Sequence, residues 1–198
     1  MFTNITVSFF ILVFSILCGT LSVDYVLNSF TKFGRFTIGK WNAYPHVGTE
    51  NADPYTRALT AKRGDISLGR TEGLIFQIWK DNDGHLLRPH CHYLLKGHIP
   101  EARLFTLYTA DKSLKPYTSS KKIPFELYTN NIIYENDGSF HINISPTPQI
   151  GNWLATVSKK EFGLILTLYD TSIISATALQ KLTMPSVEKI SSGQKNCG

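Results

Sequence analysis

Between Leu74 and His85 the chain reads LIFQIWKDNDGH, and this stretch decides the fold class. Its first six residues are apolar except for one glutamine, and isoleucine, phenylalanine and tryptophan favour strands. Asp81-Asn-Asp-Gly84 indicates a tight turn, because aspartate and glycine accept the backbone angles that such turns require. We therefore predict a hairpin in which a strand over Leu74–Trp79 is followed by a second strand within His85–Leu95.

The same pattern of short β-rich runs separated by turn residues continues along the chain. The further predicted strands are Arg103–Tyr108, Pro124–Tyr128, Ile132–Glu135, Phe140–Ile144, Trp153–Val157 and Phe162–Tyr169. A second turn, Asn136-Asp-Gly138, precedes Phe140. Seven or more short strands with frequent turns indicate an antiparallel β-sandwich with a jelly-roll-like layout, so we predict a mainly β domain over residues 36–190, followed by a tail over 191–198.

One soluble helix is predicted, from Asp53 to Gly64. The side chain of Asp53 can accept hydrogen bonds from the first free amides, and Pro54 suits the first helical position. Gly64 can adopt the left-handed conformation that ends a helix.

The first 23 residues carry no charged side chain, whereas all 20 lysines and arginines and all 15 aspartates and glutamates follow. Residues 5–23 read ITVSFFILVFSILCGTLSV, and as a helix they span about 28 Å, close to the hydrocarbon core of a bilayer at about 30 Å. We predict that residues 1–30 form a transmembrane anchor and stalk, with residues 5–23 in the lipid bilayer. A cleaved signal peptide is the alternative, although its basic start is missing.

Composition excludes several other classes of protein. The chain of 198 residues is 42% hydrophobic and 12% aromatic, which excludes a disordered polymer, and three cysteines are too few for a disulfide-rich mini-protein. The net charge of +5 is scattered in doublets such as Lys121-Lys122 rather than gathered in a stripe with stacking aromatics. We therefore expect no nucleic-acid partner.

Two short patterns raise the question of a metal site. His90 and His92 flank Cys91 on the predicted strand and would share one face, as in the first half of the cupin metal motif, but the carboxylate that should follow is missing. Asp81 and Asp83 begin like a calcium loop, but its twelfth position is His92 instead of glutamate. We therefore expect no metal and no other cofactor.

Cys91 and Cys197 are the two cysteines outside the apolar segment. Outside the cytoplasm they could form a disulfide that ties the tail to the domain, with a chain-entropy contribution of about 4–5 kcal/mol at most. In a reducing compartment they would remain free thiols. The sequence leaves both states open.

A series of short blocks resembles a known family. The blocks are Trp41-Asn-Ala-Tyr-Pro45, Gly48-Thr49, Asp53-Pro-Tyr-Thr-Arg-Ala58, Leu68-Gly69 with Glu72-Gly73, Asp81-x-x-Gly84, Cys91-x-Tyr93 with Gly97, Pro100-x-Ala-Arg103, Thr106-Leu-Tyr108, Asp137-Gly-Ser139, Gly151-Asn-Trp-Leu154 and Leu168-Tyr-Asp170. In this order they resemble the domain of unknown function 1214 in its short bacterial form with an N-terminal membrane span.

The resemblance implies a jelly-roll β-sandwich in an envelope or membrane protein, and it implies no activity and no catalytic residues. With the predicted anchor, it places the protein in the bacterial inner membrane as a single-pass protein. We expect the domain on the periplasmic side, because long domains after one N-terminal span are usually exported. The basic residues Lys32, Arg35 and Lys40 after the span would favour the opposite orientation.

The shared blocks contain arginines and aromatic residues, which together suit a carboxylate or a sugar. The candidate ligand-binding residues are Tyr55, Arg57, Glu72, Arg103, Tyr108 and Trp153. The alternative is a purely structural role, in which Arg57 pairs with Glu72 or Asp170.

Two functions follow. The first is a non-enzymatic binding or structural module whose partner is an envelope protein or a small polar ligand. The second is an envelope enzyme, either cupin-like or acting on a carbohydrate or carboxylate through Glu72, Arg57 and Arg103.

Overall fold

A computed structural model describes residues 2–29, 34–64, 68–69, 72–117, 123–156, 160–171, 182–190 and 197. Helix α1 spans Phe2–Ser29 and helix α2 spans Pro54–Arg63. The strands within the described ranges are β1 (Phe36–Ile38), β2 (Trp41–Ala43), β3 (Gly73–Ile78), β4 (Tyr93–Gly97), β5 (Leu104–Ala110), β6 (Glu126–Tyr128), β7 (Phe140–Ser145), β8 (Asn152–Ala155), β9 (Gly163–Tyr169) and β10 (Ser186–Lys189), with a 3₁₀ turn at Thr129–Asn131. The prediction of a mainly β chain behind an apolar N-terminal helix is confirmed.

Strand β9 lies in the middle of a six-stranded antiparallel sheet with the order β1-β2-β3-β9-β5-β6. Its neighbours are β3 and β5, so that Leu166 stands opposite Phe76 on one side and Leu107 on the other. Six of the seven residues of β9 are buried. Hydrogen bonds on both edges and burial on both faces make β9 the best-enclosed strand of this sheet.

The second sheet has four strands in the order β10-β4-β7-β8. Its β7 and β8 pair in parallel, with Ile144 opposite Leu154, although only residues 146–151 connect them. This connection contains two prolines and runs back along β7, where the Asn143 side-chain amide donates to the Ile150 carbonyl at 3.3 Å. One pair of the predicted antiparallel sandwich is therefore parallel, because the short return brings the chain back to the same end of β7.

The two sheets share a single hydrophobic core. Buried side chains from both belong to one cluster, including Phe76, Leu107 and Leu166 from the six-stranded sheet and Leu95 and Ile142 from the four-stranded sheet. Two sheets that bury their faces against each other form a sandwich-like arrangement.

The hairpin predicted at Asp81–Gly84 forms only as a short one, with an antiparallel bridge between Lys80 and Leu86, and its second arm does not continue as a strand beside β3. The turn itself forms, with Gly84 at a φ of 90° and its amide donating to the Asp81 carbonyl at 3.0 Å. However, β3 is paired with β2 and β9, and β4 belongs to the other sheet and starts only at Tyr93. Because both edges of β3 are already occupied, residues 81–92 carry the chain across from one sheet to the other.

Residues 132–135 form no strand, contrary to the prediction. Instead, the Asn152 side chain accepts a hydrogen bond from the Ile133 amide and donates one to the Ile133 carbonyl, each at 2.7 Å. A side chain thus satisfies the backbone groups that a neighbouring strand would otherwise pair.

Strands β1, β2 and β10 were not predicted, because runs of three or four residues are too short to show an alternating pattern. Tertiary contacts hold them in place. Trp41 in β2 is buried, and its indole N–H donates to the Pro185 carbonyl at 2.7 Å.

The predicted helix is confirmed as α2. Asp53 caps its start by accepting hydrogen bonds from the amides of Tyr55 and Thr56, and Gly64 ends it in the left-handed conformation. Burial tends to raise the pKa of Asp53, but these hydrogen bonds and one from the Thr56 hydroxyl outweigh it, so that the pKa lies below its ordinary value. The carboxylate stays ionised and complements the positive end of the helix dipole.

Close packing of β3 on β9 requires a glycine at position 73. A Cβ atom on Gly73 would lie 2.4 Å from the backbone oxygen of Leu168, which cannot move without displacing β9. We expect Gly73→Ala to lower the free energy of unfolding by at least about 2 kcal/mol, measured by urea denaturation of the full chain in detergent micelles.

Gly69→Ala is the matched control. The atoms nearest to its Cβ would belong to the flexible Glu72 side chain, the closest at 3.4 Å, so the free energy of unfolding should stay within about 0.5 kcal/mol of the parent. Equal effects of the two substitutions would contradict the proposed close approach.

Candidate functional site

Helix α1 contains an apolar stretch, Ile5–Leu27, that is long enough to cross a membrane. None of the most hydrophobic residues of this stretch is buried against the rest of the structure. Side chains such as Phe10 and Leu21 are 71% and 69% exposed. A helix with this length and composition can be a membrane anchor, and an N-terminal signal sequence has the same properties.

Helix α2 contacts α1 through an ion pair. The Lys62 ammonium lies 2.5 Å from the carboxylate of Asp24, which is the first charged residue of the chain. Both groups are partly exposed, so the pair contributes little to stability. It nevertheless places the C-terminal half of α2 beside the end of the apolar stretch, a contact between residues 38 positions apart that no local pattern could predict.

An open groove of 510 Å³ runs along α2 and the loop before it. Its lining residues are Gly48, Thr49, Ala52, Thr56, Arg57, Thr60, Ala61 and Gly64. The hydroxyl groups of Thr49 and Thr60 donate to backbone carbonyls, and that of Thr56 donates to the Asp53 carboxylate. The groove therefore has few free hydrogen-bond donors with which to bind a ligand.

Arg57 forms hydrogen bonds that hold the loop before α2. Its Nε donates to the Ala52 carbonyl at 3.0 Å and a terminal guanidinium nitrogen donates to the Glu50 carbonyl at 2.5 Å. Arg57 thus bonds to backbone carbonyls and not, as the sequence suggested, to the carboxylate of Glu72 or Asp170. Tyr55 lies on the same helix, and its side chain is exposed.

Glu72 and Arg103 lie at the same end of the six-stranded sheet, on either side of the end of β9. The Glu72 carbonyl accepts from the Asp170 amide at 3.0 Å, and the Arg103 amide donates to the Tyr169 carbonyl at 3.2 Å. Arg103 Nε also lies 3.1 Å from the Asp170 carboxylate. Asp170 is thus the partner of Arg103, and it lies between the two candidate residues, which directly precede β3 and β5.

The remaining two candidates lie elsewhere. Tyr108 is near the middle of β5, opposite Glu126 and Ile165. Trp153 is in β8 of the other sheet, where its indole N–H donates to the Ser145 carbonyl at 3.1 Å. The structure distributes the six candidate residues over α2, one end of the six-stranded sheet, the middle of β5 and strand β8.

Cys91 and Cys197 form a disulfide, with their Cα atoms 5.6 Å apart, although they are 106 positions apart in the sequence. Both residues are buried and belong to the core cluster. The bond fixes residue 197 against the sandwich; the other residues of the predicted tail, 191–196 and 198, lie outside the described ranges.

The sequence predicted that the two histidines beside the disulfide share one face of a strand. This prediction is wrong, because β4 starts after them, at Tyr93. His90 is exposed and His92 is half-buried. A ring nitrogen of His90 lies within 4.8 Å of both sulfur atoms, but these sulfur atoms are bonded to each other. A metal could bind there only after the disulfide is reduced.

The sequence profile of a family described as proteins of unknown function, DUF1214, matches residues 72–173, about half of the chain. The chain belongs to the DUF1214 family. None of the curated proteins compared with this chain matches it. Membership in DUF1214 confirms the resemblance described from the sequence blocks and assigns no activity.

Two solved structures are similar to this DUF1214 chain. The VPA0106 protein from Vibrio parahaemolyticus is 15% identical, with a TM-score of 0.61 over 87% of this chain and 42% of its own. An uncharacterized protein from Burkholderia cenocepacia is 14% identical, with a TM-score of 0.42 over 85% and 39%. The chain therefore spans about two fifths of the length of these proteins, and the first of them supports the fold alone.

Loss of the disulfide should destabilise the domain. We expect Cys197→Ser to lower the free energy of unfolding by about 2–5 kcal/mol under non-reducing conditions, because the cross-link restricts the unfolded chain. Urea denaturation of the full chain in detergent micelles measures this effect. A thiol reductant should bring the parent protein to the stability of the variant.

The exposed Cys18 of α1 supplies the control, since it forms no disulfide. Cys18→Ser should leave the unfolding curve unchanged. A parent protein whose unfolding curve does not respond to the reductant would contradict the structural role of the disulfide.

Proposed function

We propose that this DUF1214 chain is a single-pass protein of the bacterial inner membrane whose sandwich acts on the periplasmic side as a non-enzymatic binding or structural module. The observation that carries the proposal is that none of the most hydrophobic residues in the apolar stretch of α1 is buried. Apolar surface removed from water contributes about 25 cal/mol per Å², so a helix with this surface partitions into lipid.

The ion pair between Asp24 and Lys62 supports a position of the sandwich close to the membrane. It joins α2 to the part of α1 where the uncharged sequence ends. Lys62 and the exposed Arg35 and Lys40 are basic, and basic residues near a membrane surface are attracted to anionic lipid headgroups.

The disulfide supports the periplasmic side. Disulfides persist in oxidising compartments such as the periplasm and are rare in the cytosol, where thiol systems keep cysteines reduced. The bond between Cys91 and Cys197 is buried in the core of the domain, which suits a structural cross-link.

A non-enzymatic role is supported by the use that the chain makes of its own polar groups. The hydrogen bonds of Arg57 hold loop carbonyls, and the indole of Trp153 holds the end of β7. These contacts are structural. The candidate residues lie in separate parts of the fold and do not converge on one reacting centre.

A small polar ligand has its best binding place at the sheet end that contains Glu72 and Arg103. The side chains of Arg103 and Asp170 are 72% and 65% exposed, so their ion pair is weak and the guanidinium can exchange Asp170 for a ligand carboxylate. The same place would serve the alternative, an envelope enzyme that acts on a carbohydrate or a carboxylate.

A charge in the middle of α1 tests the anchor. We expect Ile16→Arg to shift the protein from the membrane fraction towards the soluble fraction, because an arginine at the centre of a span costs about 2.5–3.5 kcal/mol. Alkaline extraction of membranes followed by immunoblotting measures this distribution.

Ile150→Arg is the control, since Ile150 is 97% exposed on the loop between β7 and β8. It should leave the protein in the membrane fraction. Release of the unmodified chain by alkaline extraction would contradict the anchor. A cysteine placed at position 150 that an impermeant thiol reagent cannot reach in spheroplasts would contradict the periplasmic side.

A further inference from the structure

The crossover loop between the two sheets gathers three groups that can bind a cation. Asp81, Asp83 and His85 each present one ligand atom, and these atoms all lie within 4.8 Å of one another. Asp81 is buried, whereas Asp83 and His85 are exposed at the surface of the loop. One anchored carboxylate and two adjustable side chains therefore converge from five consecutive residues.

Asp81 lacks a complete set of partners. Its side chain is 1% exposed, and Oδ1 accepts a hydrogen bond from the His85 amide at 2.8 Å. Oδ2 is buried and has no hydrogen-bond partner. Burial of an ionised carboxylate is costly unless it is paired or bound to a metal, so the free oxygen atom requires an explanation.

In the described part of the chain, no lysine or arginine nitrogen lies within 4.0 Å of the Asp81 carboxylate. The ion pairs there connect lysine or arginine to Asp24, Glu188, Asp170 and Glu161. The ionisable group seen beside Asp81 is the imidazole of His85, whose Nδ1 lies 3.8 Å from Oδ1. Asp83 likewise has neither a hydrogen bond nor an ion pair to another described side chain.

We propose that Asp81, Asp83 and His85 bind a divalent cation, Zn²⁺ or Mn²⁺, through two carboxylates and one imidazole. Imidazole favours zinc over calcium, while carboxylates suit manganese and are accepted by zinc. The sequence argued against an EF-type calcium loop because its distal glutamate is missing, and the observed ligand set does not need that residue.

The distances are compatible with this ligand set. Ligand atoms at about 2.1 Å from a tetrahedral ion lie about 3.4 Å from one another, so a cluster within 4.8 Å has to contract by about 1.4 Å at most. Rotations of the exposed Asp83 and His85 side chains can supply this movement while Asp81 stays fixed.

Binding here would stabilise the crossover and strand β10 together. The Asn82 amide donates to the Val187 carbonyl at 2.9 Å, and the Asn82 side chain accepts from the Val187 amide at 3.3 Å. The loop also leads from β3 in one sheet towards β4 in the other. The cation therefore has a structural role that is independent of the membrane anchor.

Isothermal titration calorimetry and thermal unfolding of the full chain in detergent micelles test the site, with ZnCl₂, MnCl₂ and CaCl₂ as separate probes after removal of metals with a chelator. We expect one Zn²⁺ or Mn²⁺ per chain and a higher melting temperature. Asp83→Asn and His85→Gln should each raise the dissociation constant by more than about tenfold. Both residues are exposed, so these variants are expected to fold.

Asp137→Asn is the matched control, because Asp137 belongs to the second Asp-Gly turn and accepts a hydrogen bond from the Ser139 amide. It should leave metal binding unchanged. The proposal fails if neither Zn²⁺ nor Mn²⁺ changes the melting temperature, or if the metal response persists in the Asp83→Asn and His85→Gln variants. A response to Ca²⁺ alone that His85→Gln does not alter also contradicts it.

Discussion

The enclosure of β9 is the constraint on which the rest of the structure depends. This strand is hydrogen-bonded to β3 and β5 along its length, and Leu164, Leu166 and Leu168 contribute to the core that the two sheets share. Because β3 must approach β9 closely, Gly73 has no room for a side chain, and the indole ring of Trp79 covers Gly163 in the same way. The end of β9 then positions Asp170 between Glu72 and Arg103, which directly precede β3 and β5.

Elements that depend on interactions between nearby residues could be predicted from the sequence. Elements that depend on pairing between distant residues could not. The start and end of α2 follow from Asp53, Pro54 and Gly64, because capping involves residues within one helical turn. The turn at Asp81–Gly84 was also predicted. The strands that pair with β3 were not, since a turn signal does not specify which strands lie beside β3. The parallel pairing of β7 with β8 depends on how residues 146–151 return, which no alternation of apolar residues reveals.

The candidate site shows the same division. The sequence blocks supplied the candidate residues, and the structure gives two of them structural contacts: Arg57 donates to backbone carbonyls, and the Trp153 indole donates to the Ser145 carbonyl at the end of β7. The pairing of Arg103 with Asp170 depends on the β5–β9 register, which the sequence does not show. The burial of the Asp81 carboxylate could likewise not be predicted, because the sequence of a turn with two aspartates does not show which one is buried.

These features describe a DUF1214 domain organised around one enclosed strand, with an apolar N-terminal helix whose most hydrophobic residues are not buried in the core. Hydrogen–deuterium exchange of the full chain in lipid nanodiscs tests both parts of this description together. We expect the slowest amide exchange in residues 164–168 of β9 and in the middle of α1, and faster exchange in the edge strand Glu126–Tyr128. Exchange of β9 as fast as that of the edge strand, or an unprotected α1 in nanodiscs, would contradict it.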